Sequence, residues 1–223
     1  MTLPFNRPSA MDAPFSSKLP VWVLVAENGP ERTCIPFEHT AHGPVVRCFL
    51  SRFDAMVEAA VITLRSRMRY YVVPAAEIDR TLFQAREGGG FIAYLHIGWF
   101  ARDGHILLRF DGLPAGCSRP LRWFASCKDG VEVDSDTLAL IERIHERAGL
   151  FAWRETLRDL DGWSVANWLQ ARKQALQSFS KLGRDDGMSA SDQLALFDPE
   201  TGQWHFVPES LARDQLPRDW SGT

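Results

Sequence analysis

Thiols and imidazoles are the side chains from which any chemistry in this chain would have to be assembled. The chain carries Cys34, Cys48, Cys117 and Cys127 together with six histidines. A cysteine nucleophile needs a base within hydrogen-bond reach and a third group that orients the base. Cys48 or Cys117 with His96 or His105, oriented by Asp103 or Asp111, is a combination of that kind. It would make the chain an amidohydrolase, a deamidase or a cysteine-protease-like effector. Two features weigh against it: His96 sits among the apolar residues of an expected strand, and so many Cys, His and Asp side chains produce such pairings by chance. A serine hydrolase has no support either, since no G-x-S-x-G elbow is present.

Metal chemistry would start from Cys34, His39 and His42, spaced C-x4-H-x2-H. Zinc takes three or four converging ligands. The nearest further thiol is Cys48, expected in or beside a strand, where a small apolar thiol is common. Cys117 and Cys127 lack C-x2-C spacing. The expectation is no metal and no cofactor.

Gly88-Gly89-Gly90 follows an expected helix and precedes a strand. A phosphate cradle needs the opposite order, because the helix N-terminus supplies the N–H donors. Glu142, His145 and Glu146 share a helix face, but Arg143 and Arg147 are interleaved with them, the pattern of a solvated face with ion pairs. Arg65, Arg67 and Arg69 close a helix, where positive charge suits the dipole.

These residues must be held by elements that the pattern of apolar side chains defines. Val21–Val25 is a run of β-formers ending at the turn signal Asn28-Gly29-Pro30, with further strands near Thr33–Phe37 and Val45–Leu50. Ser51 and Asp54 cap a helix whose apolar face (Phe53, Met56, Val57, Ala60, Val61, Leu64) runs to about Arg65. Tyr70–Val73 is a strand stopped by Pro74, so that strand, helix and strand form a βαβ-like unit. A short helix is expected over Ala76–Glu87. Phe91–Phe100 and His105–Phe110 flank Asp103-Gly104, a hairpin signal. Strands are expected at Pro120–Ser126 and Val131–Val133.

Three helices follow: 136–148 stopped by Gly149, Phe151–Leu160, and one capped by Ser164 that runs to about Leu182. The third has Val165, Trp168, Leu169, Leu176 and Phe179 as its packing face. A terminal hairpin pairs Gln193–Phe197 with Gln203–Val207. The fold class is α+β: a mixed, mainly antiparallel sheet with a C-terminal helical layer and a terminal β-hairpin. The expected organisation is a flexible arm over 1–18 and a domain over 19–183, β-rich to 133 and helical from 134. A linker over 184–192, the hairpin over 193–208 and a flexible tail over 209–223 follow.

Composition narrows the function. The net charge of −3 argues against a nucleic-acid binder, which needs a surplus of cations. The charge is uneven, since residues 184–223 carry eight acidic side chains against three basic ones. The longest apolar runs fall short of the ~18 residues that a membrane span needs. The first twenty residues lack a secretory pattern, and the cysteines form no disulfide framework, which points to the cytoplasm.

Eight tryptophans are more than a single core ordinarily uses. Phe197, Trp204 and Phe206 in the hairpin and Trp220 in the tail are the candidate binding residues, because exposed aromatics anchor protein interfaces; the alternative is that the hairpin folds back on its own body. The expectation is a non-catalytic protein-binding module of accessory, adaptor or toxin-immunity type whose partner is another protein. On this reading the segment 193–223 contacts the partner and is dispensable for folding.

Overall fold

The computed structural model describes residues 15–27, 33–40, 43–66, 68–83, 91–109, 111–121, 131–179 and 191–213. The class is α+β, with a mixed, mainly antiparallel sheet and several helices. In chain order the elements begin with β1 (Phe15–Ser16), β2 (Trp22–Glu27), β3 (Thr33–Cys34), β4 (Glu38–Thr40) and β5 (Gly43–Phe49). Then come α1 (Arg52–Arg65), β6 (Arg69–Pro74), β7 (Ile92–Arg102), β8 (His105–Ile106), β9 (Gly116–Leu121) and β10 (Val131–Glu132). The chain continues with α2 (Ser135–Arg147), α3 (Trp153–Asp159) and α4 (Val165–Phe179), then β11 (Gln193–Asp198), β12 (Gln203–Pro208) and α5 (Ser210–Arg213). It divides into two compact units, one of residues 1–96 and 120–134, the other of 97–119 and 135–223.

In the first unit, β2 pairs antiparallel with β6 along its whole length and with β5 at Trp22 and Val23. β5 and β6 are therefore parallel to each other with β2 between them, and α1 is the crossover of the expected strand–helix–strand unit. Ser51 starts this helix: its Oγ accepts from the Asp54 N–H at 3.1 Å, satisfying a donor that has no partner within the helix. Ala55 and Ala59 of α1 pack on Leu24 and Phe49. A chain of aromatic contacts links Phe15, Phe83, Phe91 and Phe37, with ring centroids 5.7–6.0 Å apart.

In the second unit, β11 pairs with β12 from Gln193↔Pro208 to Asp198↔Gln203, and also with the end of β7 at Trp99–Ala101. The Asp198 carboxylate accepts from the Glu200 N–H at 2.9 Å and the Thr201 hydroxyl at 2.8 Å, which shapes the hairpin turn. Leu194, Leu196 and Val207 share a core with Leu140 and Ile144 of α2, Cys117, and Ala212 of α5. Gly149 ends α2 at φ +83°, where a side chain would be strained, and the Leu150 N–H donates back to the His145 carbonyl at 2.8 Å.

The structure departs from the sequence expectations at five places. Of the expected Thr33–Phe37 strand only Thr33–Cys34 forms, as β3, and the next strand, β4, begins at Glu38 on a different partner. In the described part of the expected Ala76–Glu87 helix there is a pair of 3₁₀ turns, Ala75–Glu77 and Arg80–Phe83, where Pro74 and buried Ile78 and Phe83 hold the chain against the core, and 84–87 lie outside the described residues. The strand expected at Pro120–Ser126 begins earlier, as β9 from Gly116, and 122–126 lie outside the described residues. Within the expected arm, Phe15 is buried and β1 runs parallel to β10. Within the expected tail, α5 forms and buries Ala212.

Candidate functional site

Charge in the first unit is concentrated around one arginine. Arg47 is the only charged residue in the run Val45–Phe49 of β5, and it lies opposite Tyr94 of β7. Its guanidinium donates to both carboxylate oxygens of Glu38 on β4, at 3.0 and 3.2 Å, and to Glu58 on α1. Glu58 is 1% exposed, whereas Glu38 keeps 40% of its side chain in solvent. A buried carboxylate is tolerated only when paired, so Arg47 neutralises Glu58 while Glu38 supplies the balancing acid at the edge. Burial, reinforced by the charge of Glu38, pushes the Tyr94 hydroxyl above its ordinary range.

The candidate thiols and imidazoles sit apart from one another. Cys48 is completely buried and pairs across the strands with Leu95. His96 is the next residue along β7 and so points to the opposite sheet face, where its ring lies 5.2 Å from that of Phe49. Burial pushes the Cys48 thiol far above the thiol range, the reverse of what a nucleophile requires. Burial and then the Arg47 charge push His96 down to about 3, so it is neutral at pH 7 and a weak base.

Cys117, in the second unit, is 1% exposed among Leu107, Leu140 and Ile144. His105 is exposed at the hairpin end, opposite Arg102. Its turn is the expected one, with Asp103 and Gly104 both at positive φ. Asp111 pairs with Arg109 at 2.8 Å.

The residues weighed for metal fall on different short elements or outside the described residues. Cys34 is exposed on β3 and His39 lies on β4, while His42 lies outside the described residues. Among the described residues no three His, Cys, Asp or Glu side chains converge on a common point. Gly88-Gly89-Gly90, Arg67, Cys127 and Trp220 also lie outside the described residues. Arg65 and Arg69 are exposed at the end of α1 and the start of β6.

His145 has a structural task. Its Nδ1–H donates to the Ile141 carbonyl at 2.8 Å, and its ring stacks on Trp153 at 4.8 Å. Arg154 lies over the same indole and pairs with Glu142 at 3.1 Å, so the cluster joins α2 to α3. Burial outweighs the hydrogen bond and pushes His145 down to about 4.

The aromatic residues of the terminal hairpin are used at home. Phe197 is 6% exposed, and the half-buried Trp204 ring meets Phe197 at 5.0 Å and the fully buried Trp99 at 5.3 Å. Phe206 is half-buried. Binding through Phe197 would require dismantling this core, whereas Trp204 and Phe206 keep part of their surface in solvent.

A different region of the second unit presents apolar area to solvent. Phe151, in the turn between α2 and α3, is 78% exposed, and Val165 and Leu169 of α4 are 75% and 47% exposed. The packing face expected of α4 thus divides: Trp168, with Ala171 and Ala175, is buried, but Val165 and Leu169 are not. Pattern reading missed this because an apolar periodicity marks a helix face without saying how much of it the fold will cover. It also missed the Arg47–Glu58 pair, although a lone Arg in an apolar strand and a Glu in the apolar stretch Ala55–Val61 were the available signal.

Among the described residues no helix is long and apolar enough to cross a membrane. No family model, no curated protein and no solved structure matches this chain.

Proposed function

We propose that the chain is a non-catalytic protein-binding module, of accessory, adaptor or toxin-immunity type, working in the cytoplasm on another protein. The observation that carries this reading is the exposure of Phe151, Val165 and Leu169 within one helical stretch of the second unit. Exposed apolar area is what a protein partner can remove from water, and three large apolar side chains between residues 151 and 169 offer it. Support also comes from the buried thiols: neither Cys48 nor Cys117 presents the exposed sulfur that an enzyme of the Cys–His type uses.

The test is affinity capture from native cells with the full chain and with the triple variant Phe151→Ser/Val165→Ser/Leu169→Ser. Loss of the captured protein with unchanged circular dichroism supports the module and its surface. Equal capture by both forms removes the surface. Iodoacetamide labelling of Cys48 or Cys117 faster than a model thiol at neutral pH would revive the enzyme instead.

A further inference from the structure

The α4 helix defines its own partner more narrowly. Its start is fixed by Ser164, whose Oγ accepts from the Asn167 N–H at 3.2 Å. At ~100° per residue, Val165, Leu169, Arg172 and Leu176 fall on one stripe, and Trp168, Ala171 and Ala175 on another roughly a quarter-turn away. The second stripe is the buried one. The first emerges into solvent at Val165 and Leu169, and Leu176 is half-buried at its far end. Arg172 flanks it on one side and Lys173 on the other, and α4 contains no acidic residue.

An apolar strip about three turns long, carrying two cations and no anion on its own helix, fits a complementary strip bordered by carboxylates. We infer that α4 docks an acidic amphipathic helix of a protein partner, which covers Val165, Leu169 and Leu176 and places carboxylates beside Arg172 and Lys173. This rests on the protein-binding reading above and names the chemistry of its partner. A second copy of α4 is a poor occupant, since two such stripes would set like charges together.

The probe is a fluorescein-labelled 16-residue helical peptide with leucines at three- and four-residue steps flanked by glutamates. Its control carries lysines in place of the glutamates. Anisotropy with the full chain is expected to show a Kd on the order of 10–100 µM for the acidic peptide, as suits a small interface. The lysine peptide is expected to bind at least tenfold more weakly. Leu169→Ser is expected to cost about tenfold, and Arg172→Gln/Lys173→Gln about three- to tenfold along with most of the salt dependence.

Equal binding of the two peptides, or no binding of either, overturns the inference. So does capture of the chain by phosphatidylglycerol vesicles, lost in Leu169→Ser, or self-association abolished by Leu169→Ser. A benzoylphenylalanine cross-linker in place of Leu169 separates the two levels. Cross-linking in cells to a protein through a segment that is not an acidic helix sinks the partner class and leaves the module standing. No cross-linked protein, with no peptide binding, sinks both.

Discussion

The two units depart from the rule of apolar inside and charged outside with different weight. The first buries an ion pair, in which Glu58, almost without solvent, is met by Arg47, which Glu38 also engages, and it leaves Leu64 in solvent. The second buries Glu209, which accepts from the Ser191 hydroxyl, and exposes more apolar surface, at Phe151, Val165 and Leu169. A buried charge whose partner lies beside it explains its own presence, because the fold supplies what the group lost on leaving water. An exposed apolar side chain has its explanation outside the unit. The comparison teaches where to look for function: at the exception that its own unit leaves uncompensated.

The largest effect should come from the terminal hairpin. Leu194 and Ala195 are completely buried and Leu196 nearly so, in a core shared with α2. Deleting residues 193–223 is therefore expected to unfold the second unit, measured as loss of near-ultraviolet circular dichroism from Trp99 and Trp153. A truncated chain that keeps that signal would mean the hairpin is an appendage.

Second in size is the charge pair. Arg47→Met strands a buried carboxylate and is expected to cost about 3–5 kcal/mol in urea unfolding. Arg47→Met combined with Glu58→Leu is expected to recover most of this loss, since an apolar pair of similar volume replaces a buried ion pair at little cost. If the double variant stays as unstable as the single one, the pair does more than compensate itself, and the first unit would need a functional account too.

Local chemistry was legible in the sequence where one or two residues settle the conformation. Ser51 and Asp54 gave the start of α1, Asp103-Gly104 the β7–β8 turn, and Asp198 to Gly202 the terminal turn. Outcomes that depend on distant chain were not legible. Nothing near Phe197 and Trp204 says that Trp99 will cover them, and nothing near Val165 says that no element will. The candidate thiols failed for a related reason: the alternation of side chains sends Cys48 and His96 to opposite faces, which follows only once β5 and β7 are known to pair with Cys48 opposite Leu95.

Third, pH acts differently on the two units. Burial pushes the Asp54 carboxyl up to about 7, against which its hydrogen bond with Ser51 works. The folded first unit therefore holds a proton that the unfolded chain releases near pH 4, and between pH 4 and 7 this group removes stability as pH rises. His96 acts in the other direction. Held down at about 3, it removes stability as pH falls below ~6.5. The second unit has His145, at about 4, with the same sign as His96. Because Asp54 keeps part of its surface in solvent, its effect is about 1–2 kcal/mol. Asp54→Asn is expected to raise stability by about that much at pH 8 and by little at pH 4. A variant equally affected at both values would assign Asp54 to helix capping instead.

The smallest effect on stability is expected where the functional claim is strongest. Val165→Ser removes a side chain three-quarters in water and is expected to change the unfolding free energy by no more than ~0.5 kcal/mol. Leu169→Ser removes one that is about half covered and is expected to cost about 1 kcal/mol. Trp168→Ala, next to Leu169 on the same helix but buried, is expected to cost about 3–5 kcal/mol. The contrast between adjacent residues separates a stripe kept for a partner from one used by the fold. Should Leu169→Ser cost as much as Trp168→Ala, the chain covers that stripe itself in solution, the second unit becomes as self-compensated as the first, and the docking face is lost with it.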